Sequence, residues 1–228
     1  MQALVNILPH PQPKRLVVGI SGATCGGKTT ISKLLKETFP WANVIYQDAY
    51  FHPNDPKYHV YLPEIEYFNW ELDTAVDFER MEQDVNDVLL GKMQETNDSP
   101  FFQNSKFVSA YLPEESEVKK YAYLFSHIQL TILEGHIIFN RSSLNSICDL
   151  KFFLTLDENE CWSRRQERIY KPQPPPQFFE TCVWPSYARR WEEVKKLQRV
   201  TFIDAKETPL ENIYQDIKAS VVSALMKL

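Results

Sequence analysis

The sequence predicts an α/β protein with a central five-stranded parallel sheet between helical layers. Three observations predict it. Five short runs are rich in β-branched and large apolar residues, as strands buried on both faces are. Segments of helical period lie between them. The first run passes through a glycine-rich loop directly into a helical pattern, a strand–loop–helix unit.

The first strand is expected over residues 16–21, Leu16-Val17-Val18-Gly19-Ile20-Ser21. The loop that follows, Gly22-Ala23-Thr24-Cys25-Gly26-Gly27-Lys28-Thr29, matches G-x-x-x-x-G-K-[ST], the phosphate-binding loop. Gly22, Gly26 and Gly27 lack a Cβ, so the backbone can take positive φ and approach phosphate oxygens. Loop N–H groups and the next helix start then face the anion. Lys28 would set a charge on the β- and γ-phosphates, and Thr29 would offer a hydroxyl to Mg²⁺. Thr30 and Ile31, Leu34 and Leu35 at helical spacing continue the helix over 30–37. A glycine-rich turn with a chance lysine is the competing reading; the strand before and helix after favour the nucleotide site.

A second strand, 43–47, ends at Asp48. In open α/β sheets ligands sit beyond the carboxyl ends of the strands, which places Asp48 beside the loop. A carboxylate there can take the proton of an attacking hydroxyl, help hold Mg²⁺ through water, or start a turn. Residues 52–70 are aromatic and proline-rich without sustained period, and read as a long loop, a binding lid or a surface loop on the core. A helix is expected over 72–90, capped by Asp73 or Thr74 and ended by Gly91. Residues 92–120 read as an insertion, a loop or small hairpin, with Glu114-Glu115-Ser116-Glu117 as a solvated face.

The third strand, 129–133, ends at Glu134-Gly135, a second acid pointing at the nucleotide–metal site. The fourth is 152–156. The helix after it, about 158–170, carries Arg164, Arg165 and Arg168 on one side at i,i+3 and i,i+4 spacing. They serve either as dipole partners of a helix C-terminus or as lid arginines that close on phosphates. Lys171-Pro172-Gln173-Pro174-Pro175-Pro176 cannot be helix and reads as the connector of a lid spanning about 158–176. A charged helix over 187–198 places Arg189 and Arg190 as surface charges. The fifth strand is 201–204, followed by Ala205-Lys206-Glu207, and the last helix, 209–226, closes one domain of 228 residues.

Composition narrows the function. A net charge of −5 argues against a general nucleic-acid binder. Cys25, Cys148, Cys161 and Cys182 form no C-x-x-C pair and suit neither zinc nor a disulfide framework, so they read as reduced thiols of a cytoplasmic protein. The first thirteen residues have the pattern of neither a secretory signal nor a transit peptide. No apolar run reaches membrane-spanning length. The expected partners are small molecules, with neither nucleic acid nor membrane.

Five segments together resemble the nicotinamide riboside kinases, a branch of the uridine-kinase-like phosphate-loop kinases. They are Gly19-Ile20-Ser21-Gly22 running into Gly26-Gly27-Lys28-Thr29-Thr30; Val44-Ile45-Tyr46-Gln47-Asp48-Ala49-Tyr50-Phe51; Ile132-Leu133-Glu134-Gly135-His136-Ile137-Ile138-Phe139-Asn140; Arg164-Arg165 through Arg168-Ile169-Tyr170-Lys171-Pro172; and Val183-Trp184-Pro185-Ser186-Tyr187. The resemblance implies a three-layer phosphate-loop kinase fold with a helical lid, and ATP with Mg²⁺ as donor. It implies phosphorylation of the 5′-hydroxyl of nicotinamide riboside, and of nicotinic acid riboside, in NAD salvage.

Position by position, Asp48 matches the family's general base, Lys28 and Thr29 its phosphate lysine and metal hydroxyl, and Glu134 its acid near the metal. Gly22, Cys25, Gly26, Gly27, Lys28, Thr29 and Thr30 would line the ATP phosphates, with Arg164, Arg168 and Lys206 completing the ATP site. Arg165 and Arg168 match positions that meet the phosphates or the riboside. Tyr170 matches an aromatic on the nicotinamide ring, and Trp70 falls where the family uses Tyr on the opposite face. A pyridinium between two such rings gains on the order of 0.5–2 kcal/mol. Glu71 stands where the family commonly has an Asp for the ribose hydroxyls, Ala49 where an acid often follows the base, and Ala205-Lys206 where an Asp-Gly-Thr-type turn lies near adenine. The rival functions are a uridine- or cytidine-type nucleoside kinase and a non-catalytic nucleotide-binding regulator. A neutral pyrimidine gains less between two rings, and a regulator has no need of Asp48.

Overall fold

A computed structural model describes residues 14–93, 111–170 and 173–228. The chain runs β1 (Arg15–Gly22), α1 (Lys28–Thr38), β2 (Asn43–Tyr46), β3 (Val60–Leu62), β4 (Tyr67–Asn69), α2 (Phe78–Leu89), α3 (Glu115–Phe125), β5 (Gln129–Glu134), α4 (Ser142–Ile147), β6 (Leu150–Thr155), α5 (Glu158–Gln166), α6 (Trp184–Val194), β7 (Thr201–Asp204) and α7 (Leu210–Leu225). The five expected strands form one sheet in the order β2-β5-β1-β6-β7. Every pairing in it is parallel, from Arg15 opposite Gln129 to Thr155 opposite Asp204.

Alternation within the strands makes the three layers. In β1, Leu16, Val18 and Ile20 face one way and pack with Ile31, Leu34 and Leu35 of α1 and Ile213, Ile217 and Val221 of α7. Val17 faces the other way, with Ile45, Leu133 and Phe153, against Phe78, Met81, Val85 and Val88 of α2. Two apolar faces on one sheet require a helical layer on each. Between α1 and α7 a short buried hydrogen bond joins Thr38 Oγ1 to Tyr214 Oη at 2.6 Å.

Several elements differ from the sequence expectation. The stretch 52–70 holds an antiparallel hairpin, β3 on β4, with Tyr61 opposite Phe68. Its strands are only three residues each, too short to show a period, and Glu66 turns the chain at φ 48°. Helix α2 begins later than residue 72: Asp73–Ala75 is a single 3₁₀ turn, and the cap is Asp77, whose carboxylate accepts from the Arg80 N–H at 3.1 Å. Glu114 to Glu117 is the entry of helix α3, with its acids at the positive end of the dipole. Of the expected insertion, residues 94–110 lie outside the described residues.

The helix expected over about 158–170 ends early. Helix α5 stops at Gln166, so Arg168 lies beyond it and the three arginines do not share one helix side. Helix α6 begins at Trp184, three residues before the expected start, preceded by one wide π turn over Phe179–Val183. Pro185 has no N–H to donate into the preceding turn, and the wider turn absorbs that. No described helix is long and apolar enough to cross a membrane.

Candidate active site

The loop after β1 is shaped by close backbone packing. Gly22 has φ 129°, and a Cβ there would come within 2.1 Å of the Leu154 carbonyl oxygen on β6. Gly27 caps α1 in the left-handed region, φ 93°. The third positive φ in the loop belongs to Cys25, at 59°, and not to Gly26, which is kept small by the Ala23 carbonyl 3.0 Å from where its Cβ would be. Lys28 is buried, and its Nζ donates to the carbonyls of Gly22 at 3.1 Å and Ala23 at 2.8 Å. Thr30 is buried in the first turn of α1.

Two acids reach this loop from neighbouring strand ends. Glu134, at the end of β5, accepts from Thr29 Oγ1 at 3.2 Å and is almost wholly buried. Burial, with the like charge of Asp48 close by, pushes its carboxyl up to about 7. Burial also holds Asp48 above the usual carboxylate range, against the attraction of Lys28 and Arg168. Asp48, two residues after β2, thus lies within the field of Lys28, Arg168 and Glu134. The two ends are locked together by Gln47, which is fully buried and whose Oε1 accepts from the Ile137 N–H at 2.9 Å. Gly135 leaves room for it: a Cβ there would meet Gln47 Oε1 at 2.2 Å and Gln47 Cβ at 2.4 Å.

Thr29 and Glu134 offer a hydroxyl and a carboxylate oxygen 3.2 Å apart. Hard oxygen donors beside a phosphate loop suit Mg²⁺, which takes one or two protein oxygens and draws the rest from phosphate and water. Among the described residues no cluster of three or more His, Cys, Asp and Glu side chains forms an all-protein cage.

The arginines separate into two groups. Arg165 Nη1 donates to Thr24 Oγ1 at 3.3 Å, and Arg168 Nη1 to Cys25 Sγ at 3.7 Å, so both rest on the phosphate loop. Both guanidiniums also lie over the Tyr170 ring, at 4.6 and 5.5 Å from its centre. Arg164 points elsewhere. It pairs with Glu160 at 2.6 Å and donates to the Ala205 carbonyl at 2.9 Å. Next to it Lys206 pairs with Asp157 at 2.8 Å. Arg164 and Lys206 thus share one junction, where β6 and β7 end. Arg164 and Arg165 are successive residues of α5, about 100° apart around its axis, and so point to different partners.

Trp70 packs against His59, with ring centres 4.1 Å apart, and meets Phe51 edge-on at 5.9 Å. Among the described residues it makes no ring contact with Tyr170. Beside it, Glu71 is held by Arg190, whose Nη1 lies 3.4 Å from Glu71 Oε2. Burial raises the Glu71 carboxyl, with Arg190 and Arg165 drawing it back. Arg190 is the clearest correction to the sequence reading: expected as a surface charge, it is 4% exposed. Its spacing was the available signal, because Val183, Tyr187, Arg190 and Val194 repeat at i, i+4, i+7 and i+11, a helix's inward face. His136 was also missed. Its ring stacks on Phe51, centres 5.9 Å apart, and burial, with the nearby charge of Arg190, holds its imidazole well below its ordinary value.

No protein-family model matches the chain. Curated relatives do. The chain is 29% identical over 209 residues to nicotinamide riboside kinase 1 of Mus musculus, covering 90% of this chain and 95% of that protein. It is 26% identical over 193 residues to the nicotinamide riboside kinase of Saccharomyces cerevisiae, covering 76% of each. It is 30% identical over 217 residues to nicotinamide riboside kinase 2 of Homo sapiens, covering 92% of this chain and 84% of that protein. With a phosphate loop, two strand-end acids and this kinship along nearly its whole length, the chain belongs to the nicotinamide riboside kinase family.

Proposed function

We propose that the chain transfers the γ-phosphoryl group of ATP to the 5′-hydroxyl of nicotinamide riboside, and of nicotinic acid riboside, yielding the mononucleotide for NAD salvage. One observation carries the reading. Asp48 stands with Lys28, Thr29 and Glu134 at the carboxyl end of the sheet, in a chain kin to riboside kinases. A protein that only holds a nucleotide needs the loop but not a carboxylate beside it.

In this reading the loop N–H groups and Lys28 bind the β- and γ-phosphates, and Lys28 exchanges its loop carbonyls for phosphate oxygens. Thr29 and Glu134 would hold Mg²⁺, which when bound would offset the negative charge of the phosphates. Asp48 orients the 5′-hydroxyl and accepts its proton as the oxygen attacks phosphorus. Arg165 and Arg168, already on the loop, act as the lid's cations and oppose charge on the equatorial oxygens. Glu71 accepts from the ribose hydroxyls. The pyridinium lies between Trp70 and Tyr170, which requires Tyr170 to exchange its arginine contacts for the ligand. Arg164 and Lys206 border the adenine end. The lid reading spans about 158–176, of which residues 171 and 172 lie outside the described residues.

ADP release measured with Mg·ATP and an acceptor panel tests this. Nicotinamide riboside and nicotinic acid riboside should each exceed uridine and cytidine in kcat/KM by at least about tenfold, the scale of one lost cation–π and stacking contact. Equal turnover of uridine would overturn the assignment of the acceptor.

A further inference from the structure

The segment leaving the hairpin, Glu71 to Asp73, is gripped by one side chain from a distant helix. Arg190 of α6 donates through Nη2 to the Glu71 carbonyl and, at 3.1 Å, to Asp73 Oδ1; through Nη1 it reaches Glu71 Oε2 at 3.4 Å. Its own carbonyl accepts from Asn140 Nδ2 at 3.3 Å, and the same Nδ2 donates to Glu193 Oε2 at 2.7 Å. The grip is therefore tied to the loop after β5 as well. Near the same carboxylate oxygen, His136 Nε2 lies 4.0 Å from Glu71 Oε2 and has no hydrogen-bond partner among the described residues.

A planar guanidinium that binds both the backbone and the carboxylate of one residue restricts position and rotamer together, which a lysine ammonium cannot do. The need for it follows from chemistry. A glutamate has one more rotatable bond than an aspartate, and an unheld carboxylate would lose side-chain entropy on meeting a ligand. A clamped one has lost it beforehand.

We propose that Arg190 is a positioning residue for the acceptor. By holding Glu71 it sets the preference for a riboside with both ribose hydroxyls over one lacking the 2′-hydroxyl. The proposal rests on the reading of Glu71 as the acceptor of ribose hydroxyl bonds. Arg190 touches no reacting atom, so its loss weakens riboside binding and selectivity more than the chemical step or ATP binding.

The test compares nicotinamide riboside with its 2′-deoxy analogue in the unmodified chain, Arg190→Lys and Arg190→Met, with thermal unfolding of each. In the unmodified chain the riboside should exceed the deoxyriboside in kcat/KM by about tenfold or more, as for a lost hydrogen bond to a charged group. Arg190→Lys keeps the charge and should fold. It should raise the riboside KM severalfold, shrink the riboside-to-deoxyriboside ratio, and leave the KM for ATP within about twofold. Arg190→Met, where it folds, should bring the ratio close to one. An unaltered ratio in Arg190→Lys, or riboside and ATP constants worsening in parallel with lowered thermal stability, overturns the assignment and leaves Arg190 a structural brace. No turnover of nicotinamide riboside by the unmodified chain would instead refute the proposed function.

Discussion

Gly135→Ala tests whether the lock between the two strand ends that carry Asp48 and Glu134 matters. The glycine follows Glu134, and Gln47 precedes Asp48, so the pair joins the bases of both acids. An added methyl would sit 2.4 Å from Gln47 Cβ and 2.2 Å from its Oε1. The first contact lies next to the backbone, so a rotamer change alone cannot relieve it. Overpacking of this kind costs about 1–3 kcal/mol. Expelling the amide also removes its 2.9 Å bond from the Ile137 N–H. A stranded buried N–H costs about 1–3 kcal/mol more. Urea unfolding should therefore show a loss of about 2–6 kcal/mol. Turnover with nicotinamide riboside should fall about a hundredfold, since a displacement near 1 Å at a reacting group costs that much. The control is Gln47→Gly, which removes both the obstacle and the acceptor. In that background Gly135→Ala should add less than about 1 kcal/mol, a coupling expected of residues in contact. If Gly135→Ala costs the same in both backgrounds, the glycine is not there to admit Gln47, and the account of the lock is wrong.

Other outcomes follow from the same geometry. Asp48→Asn should lower kcat by roughly 10²–10⁴ while ATP affinity by calorimetry stays within a few-fold, because the amide cannot take the hydroxyl proton. Thr29→Val keeps the shape of the side chain but removes the hydroxyl bonded to Glu134. The Mg²⁺ concentration for half-maximal turnover should rise about tenfold or more, and chelation of divalent metal should abolish turnover of the unmodified chain. Tyr214→Phe breaks the 2.6 Å bond to Thr38 between α1 and α7, and Thr38 keeps its 2.7 Å bond to the Leu34 carbonyl. Chemical denaturation should show a loss of about 0.5–1.5 kcal/mol, with KM values unchanged.

The proposed donor half of the site could be laid out from residues alone because its parts are local. A phosphate loop is one contiguous run whose glycines and lysine work at fixed spacing between a strand and a helix. Asp48 and Glu134 are far apart in the chain, yet each ends an apolar strand. Strands of a parallel sheet bring their carboxyl ends to one edge, so their meeting followed from the fold class. The five strands were legible for the same reason, as short apolar runs buried on both faces.

The surroundings of the proposed acceptor half were legible only in part. Trp70, Glu71 and Tyr170 came from resemblance, and their surroundings did not. Hairpin β3–β4 has strands too short for a period to declare itself. An arginine in a charged helix looks solvated by composition, which outweighed its place on the inward period of Val183, Tyr187 and Val194; the packing of α6 buries it. The departure of Arg168 from the helix depended on where α5 stops, which propensity does not determine. Sequence by itself therefore determined the sheet, the phosphate loop and the two acids, through patterns that repeat within a few residues. Only the tertiary structure decided which distant groups hold Glu71 and Gln47. Those partners are chosen by contacts between segments 119 and 90 residues apart, where no local period exists to be read.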